Sequence, residues 1–340
     1  MSDFTELIDL ASERIGGAVL YASDDFFAPK ENLLKPSAPI FREGVYTDRG
    51  KWMDGWESRR RRTPGFDWCV VRLGLAGRVR GVVVDTAFFR GNYPEQCSLE
   101  ACSFDGNPTV EQLIGEANGW NEILPVSQLR GDSQNSFEIS NDARATHLRF
   151  RIYPDGGVAR LRVYGEVLPD WPRLVRRGGQ VDLAAVEHGG RVVACSDMFF
   201  GHRHNLIMPG RALDMSDGWE TKRRRGPGHD WAVIKLGARS RAIKRIEVDT
   251  SHFKGNYPDA CSLEACDLAG NTDGESDWSS PAWREVLPRT KLQAHTRHEF
   301  EGEIDGARAA THLRFNIYPD GGVSRLRVYC ELDAESAQKL

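Results

Sequence analysis

Asp54-Gly55-Trp56-Glu57-Ser58-Arg59-Arg60-Arg61-Arg62 returns 163 positions later as Asp217-Gly218-Trp219-Glu220-Thr221-Lys222-Arg223-Arg224-Arg225. Working outward, Pro64-Gly65-Phe66-Asp67-Trp68 matches Pro227-Gly228-His229-Asp230-Trp231. Val84-Asp85-Thr86 and Gly91-Asn92-Tyr93-Pro94 match Val248-Asp249-Thr250 and Gly255-Asn256-Tyr257-Pro258. Thr146 to Phe150 and Tyr153-Pro154-Asp155-Gly156-Gly157-Val158 return as Thr311 to Phe315 and Tyr318-Pro319-Asp320-Gly321-Gly322-Val323, at an offset of 165. A unit of about 150 to 165 residues is too long for a solenoid repeat and suits one globular domain with its own core. The chain is an internal duplication. Its expected organisation is a first repeat over 1–168, a linker over 169–179 rich in Pro, Gly and Arg, and a second repeat over 180–340.

Short apolar-alternating runs bounded by Gly, Pro, Asp and Asn fill both halves: Trp68 to Leu73, Gly81 to Asp85, Ser98 to Cys102, His147 to Tyr153 and Arg160 to Tyr164. These read as strands. In the run from Thr146 to Tyr153, Leu148, Phe150 and Ile152 share one face, and His147, Arg149, Arg151 and Tyr153 the other. Many strands without long helical patterns between them predict antiparallel sandwiches or jelly rolls. Apolar spacing over Phe4 to Ile15 predicts a short N-terminal helix. Asp9-Leu10-Ala11 returns as Asp182-Leu183-Ala184, so the duplication starts there.

At 340 residues, 40% hydrophobic, the chain is long enough for two ordinary cores. A formal net charge of -4 argues against a dedicated nucleic-acid binder, despite the run from Arg59 to Arg62. Met1 to Ile15 is acidic and too broken by charge for a signal or spanning helix, so the expectation is a cytoplasmic protein with no membrane partner. The seven cysteines are an odd number, and Cys97/Cys102 and Cys261/Cys266 are spaced to point to opposite strand faces, which predicts reduced, buried thiols.

The Asp-Gly-Trp-Glu block, the following Pro-Gly-x-Asp-Trp, the Val-Asp-Thr to Gly-Asn-Tyr-Pro segment and the Tyr-Pro-Asp-Gly-Gly-Val close resemble the allantoicase family over nearly the whole chain. The resemblance implies two galactose-binding-like jelly rolls, a homo-oligomer, and hydrolysis of allantoate to ureidoglycolate and urea in purine catabolism. That reaction replaces a ureido nitrogen on carbon by a hydroxyl, so departure needs an acid and attack of water needs a base. The substrate carboxylate suits the planar fork of arginine.

Glu57, Asp67, Glu220 and Asp230 are the carboxylates that the repeated blocks bring toward a loop end, with Arg60 and Arg223 as carboxylate clamps. Glu57 and Arg60 read equally as an ion pair, and Trp56 and Trp68 as core anchors. Asp85, Thr86, Asn92 and Tyr93, with Asp249, Thr250, Asn256 and Tyr257, are candidate ligand contacts or shaped turns. His147 and His312 are candidate proton-transfer groups beside Arg149 and Arg314, or hydrogen-bonded structural residues. The Tyr153-Pro154-Asp155-Gly156-Gly157 stretch reads as a hairpin turn, with Arg160 and Arg162 as possible anion contacts. His202, His204, His229 and His252 occur in the second repeat only and admit a divalent metal as a possible cofactor, although no ligand motif of established spacing is present. Ten extra residues between Phe27 and Asp54 of the first repeat suggest a lid or an oligomer contact.

Overall fold

A computed structural model describes residues 3–104, 106–115, 119–268, 278–279, 282–333 and 335. The chain divides into two compact units, Met1–Leu168 and Pro169–Leu340. The first contains β1 (Ile8–Asp9), β2 (Ala18–Ala22), β3 (Tyr46–Thr47), β4 (Gly50–Lys51), β5 (Trp56–Glu57) and β6 (Asp67–Asp85). There follow β7 (Gln96–Cys102), α1 (Val110–Ile114), β8 (Asn121–Gln128), β9 (Gln134–Glu138), β10 (Ala145–Tyr153), β11 (Gly157–Val158) and β12 (Arg160–Val167).

The long strand β6 serves two layers. Its first half, Cys69 to Arg72, pairs with β2 on one side and β10 on the other, extending through β7 to β8. Its second half, Gly81 to Asp85, pairs with β12 and β9, and β12 carries β1. The switch falls at Gly74 and Gly77, where a Cβ would lie 2.5 Å from Ile15 O and 2.4 Å from Glu166 O, so only glycine lets the backbones approach. All the pairings are antiparallel, as expected for a sandwich of the jelly-roll type. Between the layers Leu148, Phe150, Ile152, Leu161 and Val163 are fully buried, following the alternation of the sequence. Trp56 joins them as a core anchor, its ring 6.3 Å from Phe150 and its Nε1–H donating to Asp24 O at 2.8 Å.

The second unit repeats the plan with α2 (Trp171–Arg177), β13 (Gln180–Asp182), β14 (Arg191–Cys195), β15 (Trp219–Glu220), β16 (Asp230–Asp249) and β17 (Ala260–Cys266). It closes with β18 (Arg284–Lys291), β19 (Arg297–Phe300), β20 (Ala310–Tyr318), β21 (Gly322–Val323) and β22 (Arg325–Leu332), in the same sheet order.

One local reading changes. Phe4 to Ile15 is not one helix: two 3₁₀ turns, Phe4–Glu6 and Glu13–Ile15, flank β1. The Asp9 carboxylate accepts from Ala11 N (3.3 Å) and Val163 N (2.9 Å), and Leu10 N donates to Val163 O at 2.7 Å, so the sheet captures backbone that a helix would use. Asp182 does the same for Ala184 N and Val328 N. Within 169–179, α2 begins under the cap of Asp170, whose side chain accepts from Arg173 N at 2.9 Å, with Trp171 buried. The insertion of the first repeat holds the β3–β4 hairpin and places Phe41 5.6 Å from Phe88. All seven cysteines are free and six are buried. Among the described residues, no helix is long and apolar enough to cross a membrane.

Candidate functional site

Each repeated motif ends on one turn, Pro154 to Gly157. Asp67 N donates to Pro154 O (3.1 Å), and Ser58 N to Gly156 O (3.1 Å). Gly157 N donates to Asn92 O (2.7 Å), and Asp155 Oδ2 accepts from Arg61 N (2.8 Å). Gly156 has φ 134° and a Cβ there would lie 2.7 Å from Asn92 O, so the turn needs its glycine for both conformation and space. β11 pairs with β5, setting Gly157 opposite Glu57. Beneath this pairing, buried Arg160 grips Asp54: Nη2 donates to Oδ2 at 2.7 Å and Nη1 to the Asp54 carbonyl at 3.0 Å. Arg325 and Asp217 repeat the lock, so Arg160 and its counterpart are anchors of the fold.

Two polar pairs hang from the turn. Asn92 Nδ2 donates to Glu57 Oε1 at 2.7 Å, and Asn256 makes the same bond to Glu220. Burial raises the pKa of the Glu57 carboxyl, with the Asn92 bond opposing, so its protonated form is favoured relative to a free glutamate. The second pair is Arg61 with Asp67: Nη1 donates to Oδ1 at 2.9 Å, and the Ser23 hydroxyl donates to the same oxygen at 2.9 Å. Asp67 Oδ2 and Arg61 Nε are buried without a protein partner, one open acceptor beside one open donor. Arg224, Asp230 and Ser196 repeat the arrangement.

Glu57 therefore bonds to Asn92, and no Glu57–Arg60 ion pair forms. Arg60 and Arg223 are exposed, and the inward arginines are Arg61 and Arg224, which the sequence reading missed. The signal was the spacing: six residues separate Arg61 from Asp67 across a Pro-Gly turn, and a Cβ on Gly65 would lie 2.9 Å from Arg61 Nη2.

Asp85, Thr86 and Tyr93 lie beneath this cluster as supports. Asp85 Oδ1 accepts from Ala87 N at 2.8 Å, and the Thr86 hydroxyl donates to Arg130 O at 2.6 Å. Tyr93 packs against Met53, Phe89 and Ala159. Asp249 and Thr250 make the same bonds to Ser251 N (2.8 Å) and Gln293 O (2.6 Å), and Tyr257 is half-buried.

His147 and Arg149 belong to the outer face of β10. His147 lies six extended residues, roughly 20 Å, from Tyr153 at the turn. It is buried, its Nδ1 is 2.9 Å from Thr146 Oγ1, and burial together with the Arg72 charge pulls its pKa down to about 4. His312 pairs with Thr311 in the same way. Arg149 sits between Trp68 (5.5 Å) and Trp120 (4.5 Å) and bonds to Glu100 at 3.3 Å. Arg314 donates to Glu264 at 2.7 Å and covers Trp283 at 5.0 Å. The structure thus gathers Glu57, Asp67 and Asn92 in one repeat and Glu220, Asp230 and Asn256 in the other, with the histidine and arginine of the strand farther along.

The four histidines weighed as metal ligands, His202, His204, His229 and His252, do not converge. His204 Nε2 pairs with Val192 O (3.2 Å), His252 Nε2 with Ala212 O (3.0 Å) and His229 Nε2 with Asn316 Oδ1 (3.2 Å), while His202 lies 4.9 Å from the His204 ring. Among the described residues, no three His, Cys, Asp or Glu side chains are grouped to hold a metal.

Comparison with known proteins places the chain. The allantoicase repeat family matches residues 8–168 and again 181–333. A probable allantoicase of Stutzerimonas stutzeri is 50% identical over 327 residues, and one of Pseudomonas savastanoi is 49% identical over 326, each covering 96% of both chains. The crystal structure of allantoicase from Saccharomyces cerevisiae, 37% identical, superposes with a TM-score of 0.80 over 95% of this chain and 92% of that one. The protein belongs to the allantoicase family.

Proposed function

We infer that the protein hydrolyses allantoate to ureidoglycolate and urea, and that the two carboxyl–amide pairs at the turns take part. The near-full-length match to allantoicases carries the activity, and the bonded carboxyl–amide pairs support the choice of residues. As the carbon–nitrogen bond breaks, the departing urea nitrogen needs a proton and the remaining ureido nitrogen supplies its lone pair to the carbon. Glu57 or Glu220 gives that proton while the amide of Asn92 or Asn256 holds the carboxyl in place. Water then adds to the carbon, and its surplus proton returns to the carboxylate, so the atoms balance as allantoate plus water to ureidoglycolate plus urea. Asp67 and Asp230 orient Arg61 and Arg224, whose open donors suit a ureido oxygen, and exposed Arg60 and Arg223 meet the substrate carboxylate. His147, Arg149, His312 and Arg314 stiffen the adjoining strand, and Asp85, Thr86 and Tyr93 with Asp249, Thr250 and Tyr257 shape the loop that carries the asparagine.

The reading includes a cytoplasmic homo-oligomer. Urea release from allantoate by purified protein, before and after exhaustive chelation, tests the activity. Release in both conditions supports the acid–base scheme; no release from folded protein refutes the assignment.

A further inference from the structure

Beside the turn, the repeats differ at two touching positions, and they differ as a pair. In the first repeat the Arg151 guanidinium lies 5.1 Å over the Phe66 ring and bonds to Glu100 at 2.7 Å, while Phe66 packs 5.3 Å from Tyr153. In the second, these positions are Asn316 and His229. His229 Nε2 is 3.2 Å from Asn316 Oδ1, and its ring is 4.6 Å from Tyr318. A cation–aromatic contact has been exchanged for a hydrogen bond to an imidazole.

The amide network decides where the imidazole proton sits. Asn316 Nδ2 donates to Glu264 Oε2 (2.9 Å) and Ser262 Oγ (3.2 Å). A carboxylate only accepts, so flipping the amide would set two acceptors against each other. Asn316 Oδ1 therefore faces the ring, His229 Nε2 carries the hydrogen, and Nδ1 keeps its lone pair. Among the described residues Nδ1 has no partner. The ring is half-buried beside the second turn, next in sequence to Asp230, whose backbone N–H donates to Pro319 O at 3.0 Å.

We propose that His229 is the base of the second repeat, held in its Nε2–H tautomer by Asn316 and Glu264, and that the second repeat performs the hydrolytic step. The inference rests on the allantoate reading and deepens it. Glu220 protonates the departing urea. As water forms the new carbon–oxygen bond, His229 Nδ1 takes its proton, then passes it through solvent to the Glu220 carboxylate, which restores both groups. The first repeat has no such base, because Phe66 and Arg151 occupy the positions. The titratable or charged groups around the ring are Asp230 and Arg224 from its own segment, Tyr318 from β20, Glu264 from β17 through Asn316, and Arg289 from β18, 4.1 Å over Tyr318.

Reciprocal exchange in the full chain tests this. His229→Phe with Asn316→Arg installs the first repeat's own pair and is expected to lower kcat at least about 100-fold, with KM within about threefold and the acidic limb of the kcat profile removed. Phe66→His with Arg151→Asn is expected to keep kcat within about twofold. Asn316→Leu, which leaves the ring but not its orientation, is expected to lower kcat roughly tenfold, a loss a packing role alone would not confine to kcat. If the double variant fails to fold, His229→Gln decides. Wild-type kcat and pH profile in the His229 variants would overturn the inference while leaving the allantoicase activity intact. A wild-type protein that releases no urea would overturn the activity first and this inference with it.

Discussion

Asp54→Ala breaks the lock beneath the first site, and its cost can be worked from the geometry. Arg160 is buried, and its guanidinium donates to Asp54 Oδ2 (2.7 Å), Asp54 O (3.0 Å), Ala159 O (2.7 Å) and Ser37 O (3.0 Å). The substitution keeps the carbonyl bonds and removes the neutralising charge, and it also leaves Ile40 N without its acceptor at 3.0 Å. Removing one partner of a buried pair costs about 3–5 kcal/mol, and the surviving carbonyl bonds place this case near about 3. For a unit of this size that corresponds to a fall in Tm of about 6–12 °C.

The effect also has a signed pH dependence. Burial pushes the Asp54 carboxyl up, but the bond and charge of Arg160, the Ile40 amide and Lys35 outweigh it and hold its pKa below the ordinary value. A depressed carboxyl contributes stability above the unfolded value near about 4 and loses it as pH falls through the folded value. Differential scanning calorimetry of wild type and Asp54→Ala at neutral pH and below about pH 4 is the assay. A neutral-pH shift under about 2 °C, or a gap that does not narrow in acid, would refute the reasoning.

Arg60 and Arg61 separate cleanly by the same logic. Arg61→Ala strands the buried Asp67 carboxylate on Ser23 alone and is expected to cost about 3 kcal/mol in denaturant melts, whereas Arg60→Ala is expected to stay within about 0.5 kcal/mol, and Arg223→Ala, in the second repeat, to raise KM. In the second repeat, burial raises Asp182 to about 6, against the opposing charge of Arg327. The folded chain therefore keeps a proton that the unfolded chain releases, so stability is expected to decline as pH rises between about 4 and 6. Asp182→Asn is expected to flatten that slope in urea melts taken across the interval, and an unchanged slope would contradict it.

The fold was legible wherever contacts repeat locally. Alternation in His147 to Tyr153 assigned the core face correctly, because a half-buried sheet imposes a period of two. Trp68 to Leu73 and Gly81 to Asp85 read as two strands because glycines interrupt the apolar pattern between them; the structure runs one strand straight through, bending at those glycines. The helix expected over Phe4 to Ile15 gave way to tertiary pairing, since Asp9 caps backbone from Val163, a residue far away in sequence.

The site was legible by residue type more than by position. Glu57 and Asn92 bond to each other, and Asp67 joins the same Pro154 to Gly157 turn through its backbone, with its carboxylate on Arg61 and Ser23. The four consecutive arginines differ locally only in their spacing from Asp67, and it is the path of Pro64-Gly65 that turns that spacing into one inward side chain, Arg61. The bond between Asp54 and Arg160 spans 106 positions and shows in the sequence only as two motifs that recur together.

Strand β6 has a mechanical consequence. One backbone is hydrogen-bonded into both layers of its unit, as β16 is in the other, so neither layer can detach without tearing the strand they share. Peeling is available only to the borders, such as the two-residue β1 and the exposed end of β8. Amide hydrogens along Val82 to Val84 should therefore exchange with solvent only when the whole unit opens, making this strand an internal gauge of the unit's global stability.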